Sequence, residues 1–231
     1  MKKEILLLTG PQGSGNHLWS KIFSASENVQ GWKRLTQEYW LGHGFEPFAE
    51  VWRDPSLFSR LDWSHEKYFT SISCPYIYRG GPIHTDDNTA IPKYDEFIDQ
   101  AQQAGFKVTV VVIGRDLSVL AHQQKRVRSE VSLPTFIEEL DTTLLKYDPI
   151  FISTELLFLY RYRYIKSLEK LLNWPIDISE GALEEAIKIN TNEKYFNYVE
   201  EYWLDKDMAE LAKLHATMDI PDVYKLNKAQ K

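Results

Sequence analysis

Three glycines, Gly10, Gly13 and Gly15, follow directly on the apolar run Ile5–Leu8 and precede an amphipathic stretch that opens at Asn16. Glycine adopts positive φ without strain and lets a backbone approach a ligand closely. Successive N–H groups in such a turn, joined to the positive end of a helix, make a concavity suited to an anion. A phosphate or sulfate group is the natural guest, and a glycine-rich turn that binds nothing is the plain alternative. A second candidate is Arg115, which stands just past the strand-like stretch Lys107–Ile113 and carries a permanent positive charge; a simple pairing with Asp116 or another surface acid is its bland reading. Three histidines complete the set, because imidazole exchanges protons near neutral pH. His17 lies on the glycine-rich stretch, His43 in an aromatic-rich segment, and His84 beside Asp86, a carboxylate able to orient its ring.

The loop is a near miss for the nucleotide-binding pattern G-x-x-x-x-G-K-[ST]. Gly10 and Gly15 have the spacing, but Asn16 replaces the lysine and His17 the Ser/Thr. Those two groups neutralise the β/γ-phosphates and ligate Mg²⁺, so their loss argues against ordinary Mg-ATP chemistry and leaves the backbone cradle intact. No metal is expected on this reading.

These residues must be placed by strands and helices. Ile5–Leu8 is a short continuous apolar run, the mark of a strand covered on both faces. A helix is expected over 16–26, then a short strand over 30–36. Residues 38–64 hold Tyr39, Trp40, Phe45, Phe48, Trp52, Phe58 and Trp63 among charges, which suits a cap or lid of short helices or an ordinary aromatic subcore. Tyr68–Cys74 alternates and stops at Pro75, as a strand does. A long loop over 79–92 carries His84 and Asp86, and long ordered loops at strand ends tend to be functional. Helix 92–105 and strand 107–113 follow. Helix 116–130 carries Gln123, Gln124, Lys125, Arg126 and Arg128, a basic run that usually means a solvated face. Next come helix 134–147, strand 149–153, a helix over 155–172 capped by Thr154, and helices over 180–190 and 192–215. Alternating β and α units predict one three-layer α/β domain over 1–231. Its parallel sheet of about five strands has helices on both faces, with Ile5–Thr9 and Val108–Ile113 adjacent and central.

The run of strand and G-P-Q-G-S-G-N-H-L-W resembles the 5′-phosphosulfate loop of the P-loop sulfotransferases that use 3′-phosphoadenosine 5′-phosphosulfate. Ser14, Gly15, Asn16 and His17 occupy the matching places, and Gly13 stands where that family carries Lys or Arg. The stretch Arg115–Gln123 is similar to the family's strand, Arg, Asn or Asp, then helix with a Ser eight residues on, here Gln123. The step from strand 149–153 into Glu155 resembles a late strand and helix of the family, and the general pattern is also similar to phage-encoded sulfotransferase-like proteins. The resemblance implies that the amides of Gln12, Gly13, Ser14, Gly15, Asn16 and His17 hold the 5′-phosphosulfate, and that Arg115 and Gln123 hold the 3′-phosphate. It implies transfer of a sulfuryl group to a hydroxyl or amine of a small molecule or glycan. The family's catalytic histidine follows a core strand, but residues 71–75 contain none. His17 is then a donor to the bridging oxygen, His84 or His43 the candidate base, and Glu38 or Asp86 the next in line.

The formal net charge of −6 gives no bulk attraction to nucleic acid or an anionic membrane, so an anion site must be local. Cys74 is the single cysteine, which excludes a disulfide framework and fits a cytoplasmic protein. Lys2 and Lys3 mimic a signal peptide, but the apolar run that follows is far shorter than the 7–15 residues such a segment uses. Two other classes stay open. One is an ATP-dependent nucleotide or metabolite kinase with Lys21 or Lys33 replacing the loop lysine and Glu155 on the metal. The other is a P-loop binding module without catalysis.

Overall fold

The computed structural model describes residues 3–31, 48, 50–52, 54–61, 63–77, 89–128 and 131–189. The chain divides into two compact units, 1–187 and 188–231. The second lies outside the described residues apart from Lys188 and Ile189, as does the helix expected over 192–215.

Strand β1, Glu4–Pro11, is the centre of the first unit. Side chains alternate across a strand, and here both sets are apolar. Leu6 and Leu8 face one layer with residues of α1 (Asn16–Phe23), α5 (Thr154–Leu172) and α6 (Glu180–Ile189). Ile5 and Leu7 face the other, with residues of α2 (Tyr94–Gln103), α4 (Leu133–Thr142) and a 3-10 helix over Pro55–Arg60. The absence of alternation in the sequence therefore has a direct cause, since a strand with two covered faces has no side for polar residues.

Four more strands complete the sheet: β2 (Val29–Gln30), β3 (Lys67–Cys74), β6 (Lys107–Gly114) and β7 (Ile150–Ser153). Their order is β2-β3-β1-β6-β7 and every pairing is parallel, so the expected three-layer α/β fold and the central β1–β6 pair are observed. A separate antiparallel pair, β4 (Tyr76–Ile77) with β5 (Thr89–Ala90), flanks residues 78–88, which lie outside the described residues. The remaining helix, α3, runs Leu117–Arg128. Among the described residues no helix is long and apolar enough to cross a membrane.

Several boundaries differ from expectation. Helix α1 ends at Phe23, because Ala25 N turns to Ile22 O and tightens the last turn. The second strand is Val29–Gln30, and residues 32–36 of the expected strand lie outside the described residues. The cap of α5 is Ser153, whose Oγ accepts from Leu156 N at 3.2 Å; Thr154 is the first helical residue and its hydroxyl is used elsewhere. Helix α5 is also broken at Arg161, with φ 51° and ψ −131°, and neither Gly nor Pro stands there to announce it. In the aromatic segment, the described Phe48, Val51, Trp52 and Phe58 are buried, and Trp52 stacks on Phe97 with centroids 4.2 Å apart.

Candidate functional site: the loop after the central strand

Parallel sheets offer a crevice beyond the carboxyl ends of their strands where the strand order reverses. That point is the end of β1, with β3 on one side and β6 on the other, and the glycine-rich loop starts there. Gly13 and Gly15 take φ +88° and +105°, a region that residues with a Cβ avoid. Ser14 N closes a turn on Pro11 O at 3.1 Å, and Trp19 N makes the first bond of α1, to Gly15 O at 3.1 Å. A helix leaves its first amides without partners inside the helix, so those of Asn16, His17 and Leu18 are directed out of its N-terminus, alongside the loop.

Gly10 must be glycine for space. A Cβ there would stand 2.7 Å from Ser14 Oγ and 3.0 Å from Ile113 Cβ. Ser14 is fully buried, and its Oγ has no hydrogen-bond partner among the described residues.

Asn16, in place of a loop lysine, is buried and turned toward β3, its Nδ2 donating to Ser73 Oγ at 3.0 Å. Below it Ser20 Oγ donates to Asn16 O at 2.7 Å and shares a hydrogen bond with Ser71 Oγ at 2.8 Å. Residues 71–75, which contain no histidine, thus supply two serines that fix α1 against β3. His17 sits half-buried in the first turn of α1, on the loop as expected.

Arg115 and Gln123 are brought onto the loop. Arg115 Nη1 donates to Gly13 O and to Gln123 Oε1, the latter at 2.8 Å. Gln123 packs against Gly13 so closely that a Cβ on the glycine would lie 3.0 Å from its Nε2. Asp116 caps α3, its Oδ1 accepting from Val119 N at 2.9 Å. Glu155 accepts from Asp116 N on Oε1 at 3.0 Å, which joins the ends of β6 and β7, and from Ser153 Oγ on Oε2 at 3.0 Å, so each carboxylate oxygen is engaged. Lys21 is in the last turn of α1, the end away from the loop. His84, His43, Glu38, Asp86 and Lys33 lie outside the described residues.

Two residues that the sequence placed in other roles, Gln124 in a helical polar run and Thr154 as a helix cap, join the site. Gln124, fully buried, donates from Nε2 to Gln12 O at 2.7 Å and accepts from Leu133 N at 2.9 Å. Gln12 is further held by Ser132, whose Oγ donates to its Oε1 at 3.2 Å. Thr154, buried, donates from Oγ1 to Ser14 O at 2.8 Å and accepts from Trp19 Nε1 at 3.1 Å. The available signal for Thr154 was its place just beyond a strand's carboxyl end, where open α/β sheets gather functional groups.

Deeper in the same end of the sheet, Thr9 Oγ1 and Tyr94 OH are 2.6 Å apart. Burial pushes the Cys74 thiol up to about 12, helped by the charge of Glu139 and opposed by a hydrogen bond with Tyr94. The Tyr94 hydroxyl is also raised, chiefly by burial, so both groups are neutral packing elements at physiological pH.

No family model and no curated protein matches this sequence. Among solved structures, the chain is similar to retinol dehydratase in complex with androsterone and inactive cofactor PAP. The likeness has 11% identity and a TM-score of 0.35 over 86% of this chain and 67% of that one, too slight to carry any argument about function.

Proposed function

We propose that this chain is a cytoplasmic sulfotransferase that moves a sulfuryl group from 3′-phosphoadenosine 5′-phosphosulfate to a hydroxyl or amine of a small molecule or glycan. The observation that carries the reading is the joining of Arg115 and Gln123 to the glycine loop. The two segments with motif-level resemblance to that family meet at Gly13 and form one polar cluster. The loop suits an anion on its own evidence, since Ser14 Oγ is a buried hydroxyl without a partner and two glycines hold positive φ.

The bound donor supplies an activated sulfuryl group: the acceptor oxygen or nitrogen bonds to sulfur as the bond from sulfur to the bridging oxygen breaks. In this reading the amides of Gln12, Gly13, Gly15, Asn16 and His17 hold the phosphosulfate together with the Ser14 hydroxyl, since the Ser14 amide is bonded to Pro11 O. Arg115 turns its charge to the 3′-phosphate with Gln123 as its amide partner. His17 donates a proton in hydrogen bonding to the bridging oxygen, where negative charge accumulates, and His84 accepts the proton of the acceptor. Such chemistry depends on positioning and on donors aimed at developing charge, and it runs without the lysine and metal ligand that the loop lacks. The kinase reading is the poorer fit, because Lys21 is at the far end of α1 and both oxygens of Glu155 hold other groups.

Thermal unfolding with 3′,5′-bisphosphoadenosine, with ADP and Mg²⁺, and with neither separates the classes. A ligand at a hundredfold its Kd stabilises the folded state by about 2.7 kcal/mol. In a chain of this size that is a rise of roughly 5–10 °C in Tm. The rise is expected with the bisphosphate alone. Stabilisation only by ADP with Mg²⁺ would reject the sulfotransferase reading in favour of a kinase, and no shift with either would favour a binding module.

A further inference from the structure

Three successive carbonyls of the loop are each held by a side chain from a different part of the sheet. Gln12 O accepts from Gln124 of α3, Gly13 O from Arg115 just past β6, and Ser14 O from Thr154 just past β7. A trans peptide directs its C=O and the following N–H to opposite sides of one plane. Fixing these carbonyls therefore fixes where the next amides point. The amide of Ser14 is spent on Pro11 O. With Gln12 O turned to Gln124 and Ser14 O to Thr154, planar trans peptides direct the amides of Gly13 and Gly15 the opposite way. The first-turn amides of α1 leave the helix beside them. Beside Gly10 stands Ser14 Oγ, fully buried and without a partner among the described residues.

We infer that Thr154 and Gln124, together with Arg115, are positioning residues that brace the loop carbonyls outward and so set the Gly13 and Gly15 amides and the Ser14 hydroxyl to receive a tetrahedral oxyanion. This rests on the proposed function only in taking the loop as an anion site. Thr154 has a second hold, because its oxygen also accepts from the Trp19 indole and thereby ties the loop to the inner face of α1. A donor rather than mere bulk is needed at both positions: the groups they meet are carbonyl oxygens, and a buried carbonyl stripped of its donor is free to turn.

The test compares Thr154→Val, which keeps the shape and removes the donor, with Thr154→Ser, which keeps the donor and removes a methyl. Gln124→Glu, which loses the donor to Gln12 O, is the independent second variant. Binding of pyrophosphate and of 3′,5′-bisphosphoadenosine is measured by calorimetry, and the ligand-free Tm is recorded for each. Thr154→Val and Gln124→Glu are expected to weaken pyrophosphate by about tenfold, the effect of one well-oriented hydrogen bond. Thr154→Ser is expected to bind within about twofold of wild type even though its Tm falls, an outcome that a purely structural role does not give. Wild-type affinity in both Thr154→Val and Gln124→Glu overturns the inference, whatever their stability, and should one variant fail to fold the other decides. If the wild type binds pyrophosphate but not the bisphosphoadenosine and the variants weaken as stated, the bracing stands and the sulfotransferase reading falls. Binding of neither anion by the wild type overturns both.

Discussion

Replacing Gly15 tests whether the loop is held by its backbone conformation or by lack of room. An added Cβ at Gly15 would meet Thr154 Oγ1 at 3.5 Å and Trp19 Cδ1 at 3.7 Å, ordinary contacts on the protein's own side. On the protein's own side the constraint is therefore φ at +105°. Holding a residue with a Cβ in such a region costs about 1–3 kcal/mol, and more for a β-branched one. If the loop keeps its shape, Gly15→Ala loses that amount of folding free energy. If the loop relaxes, the same amount is lost from anion binding, a fall in affinity of about five- to 150-fold. Urea unfolding and pyrophosphate titration of Gly15→Ala and Gly15→Val measure the two shares, and their sum should exceed about 1 kcal/mol in each variant. A Gly15→Val protein matching the wild type in both measurements would refute the argument. Gly13→Ala provides the contrast: its Cβ also presses on the Gln123 amide at 3.0 Å, so the Arg115–Gln123 hydrogen bond should be disturbed as well.

Trp52→Ala should destabilise the fold by about 3–5 kcal/mol in urea unfolding, since it removes a buried ring stacked on Phe97 and a bond from Nε1 to Thr70 Oγ1 at 2.9 Å; a loss below about 1 kcal/mol would mean that this layer is not a packed core. Stability should fall as pH rises above about 9, because the unfolded chain then loses the Cys74 proton while the folded state keeps it up to about 12, and Tyr94 acts in the same direction at higher pH. Cys74→Ala should flatten the first part of that slope, and a wild-type unfolding free energy constant from pH 8.5 to 10.5 would contradict the burial of the thiol. The same burial should keep Cys74 unreactive toward an aromatic disulfide reagent until the protein unfolds. His84→Ala should retain bisphosphoadenosine binding and lose the low-pH limb of sulfation activity, whereas full turnover with an unchanged pH profile would remove it as the base.

The sheet was legible because its two central strands each hold an unbroken apolar run, Ile5–Leu8 and Val110–Ile113, and that pattern has one physical cause: helices cover both faces, with Leu6 and Leu8 in one layer and Ile5 and Leu7 in the other. The glycine loop was legible for a related reason, since only glycine suits φ of +88° and +105° and its presence can be read off the chain. What could not be read was which of two adjacent hydroxyls does which task. Ser153 and Thr154 are both capping types, and only the structure gives the cap to Ser153 and directs Thr154 to the loop. The break at Arg161 had no signal at all, as no helix-breaking residue marks it.

The bracing residues were hidden by a missing fact about order. In the register of the sheet, Thr9 is opposite Val112 and Gly114 opposite Ser153, so the carboxyl ends of β1, β6 and β7 lie side by side. Arg115 and Thr154 are each the first residue past the end of its strand. Had the strand order been known, both would have been expected beside the loop. Composition and periodicity identify strands without saying which are neighbours. A solvent-exposed arginine and a helix-capping threonine have the same sequence signature as these two. The chemistry of the loop is thus written locally, in its glycines, while the means of holding it in shape are written in the topology. Changes at Thr154 and Gln124, 140 and 112 positions along the chain from the carbonyls they hold, should alter anion affinity without touching the loop sequence.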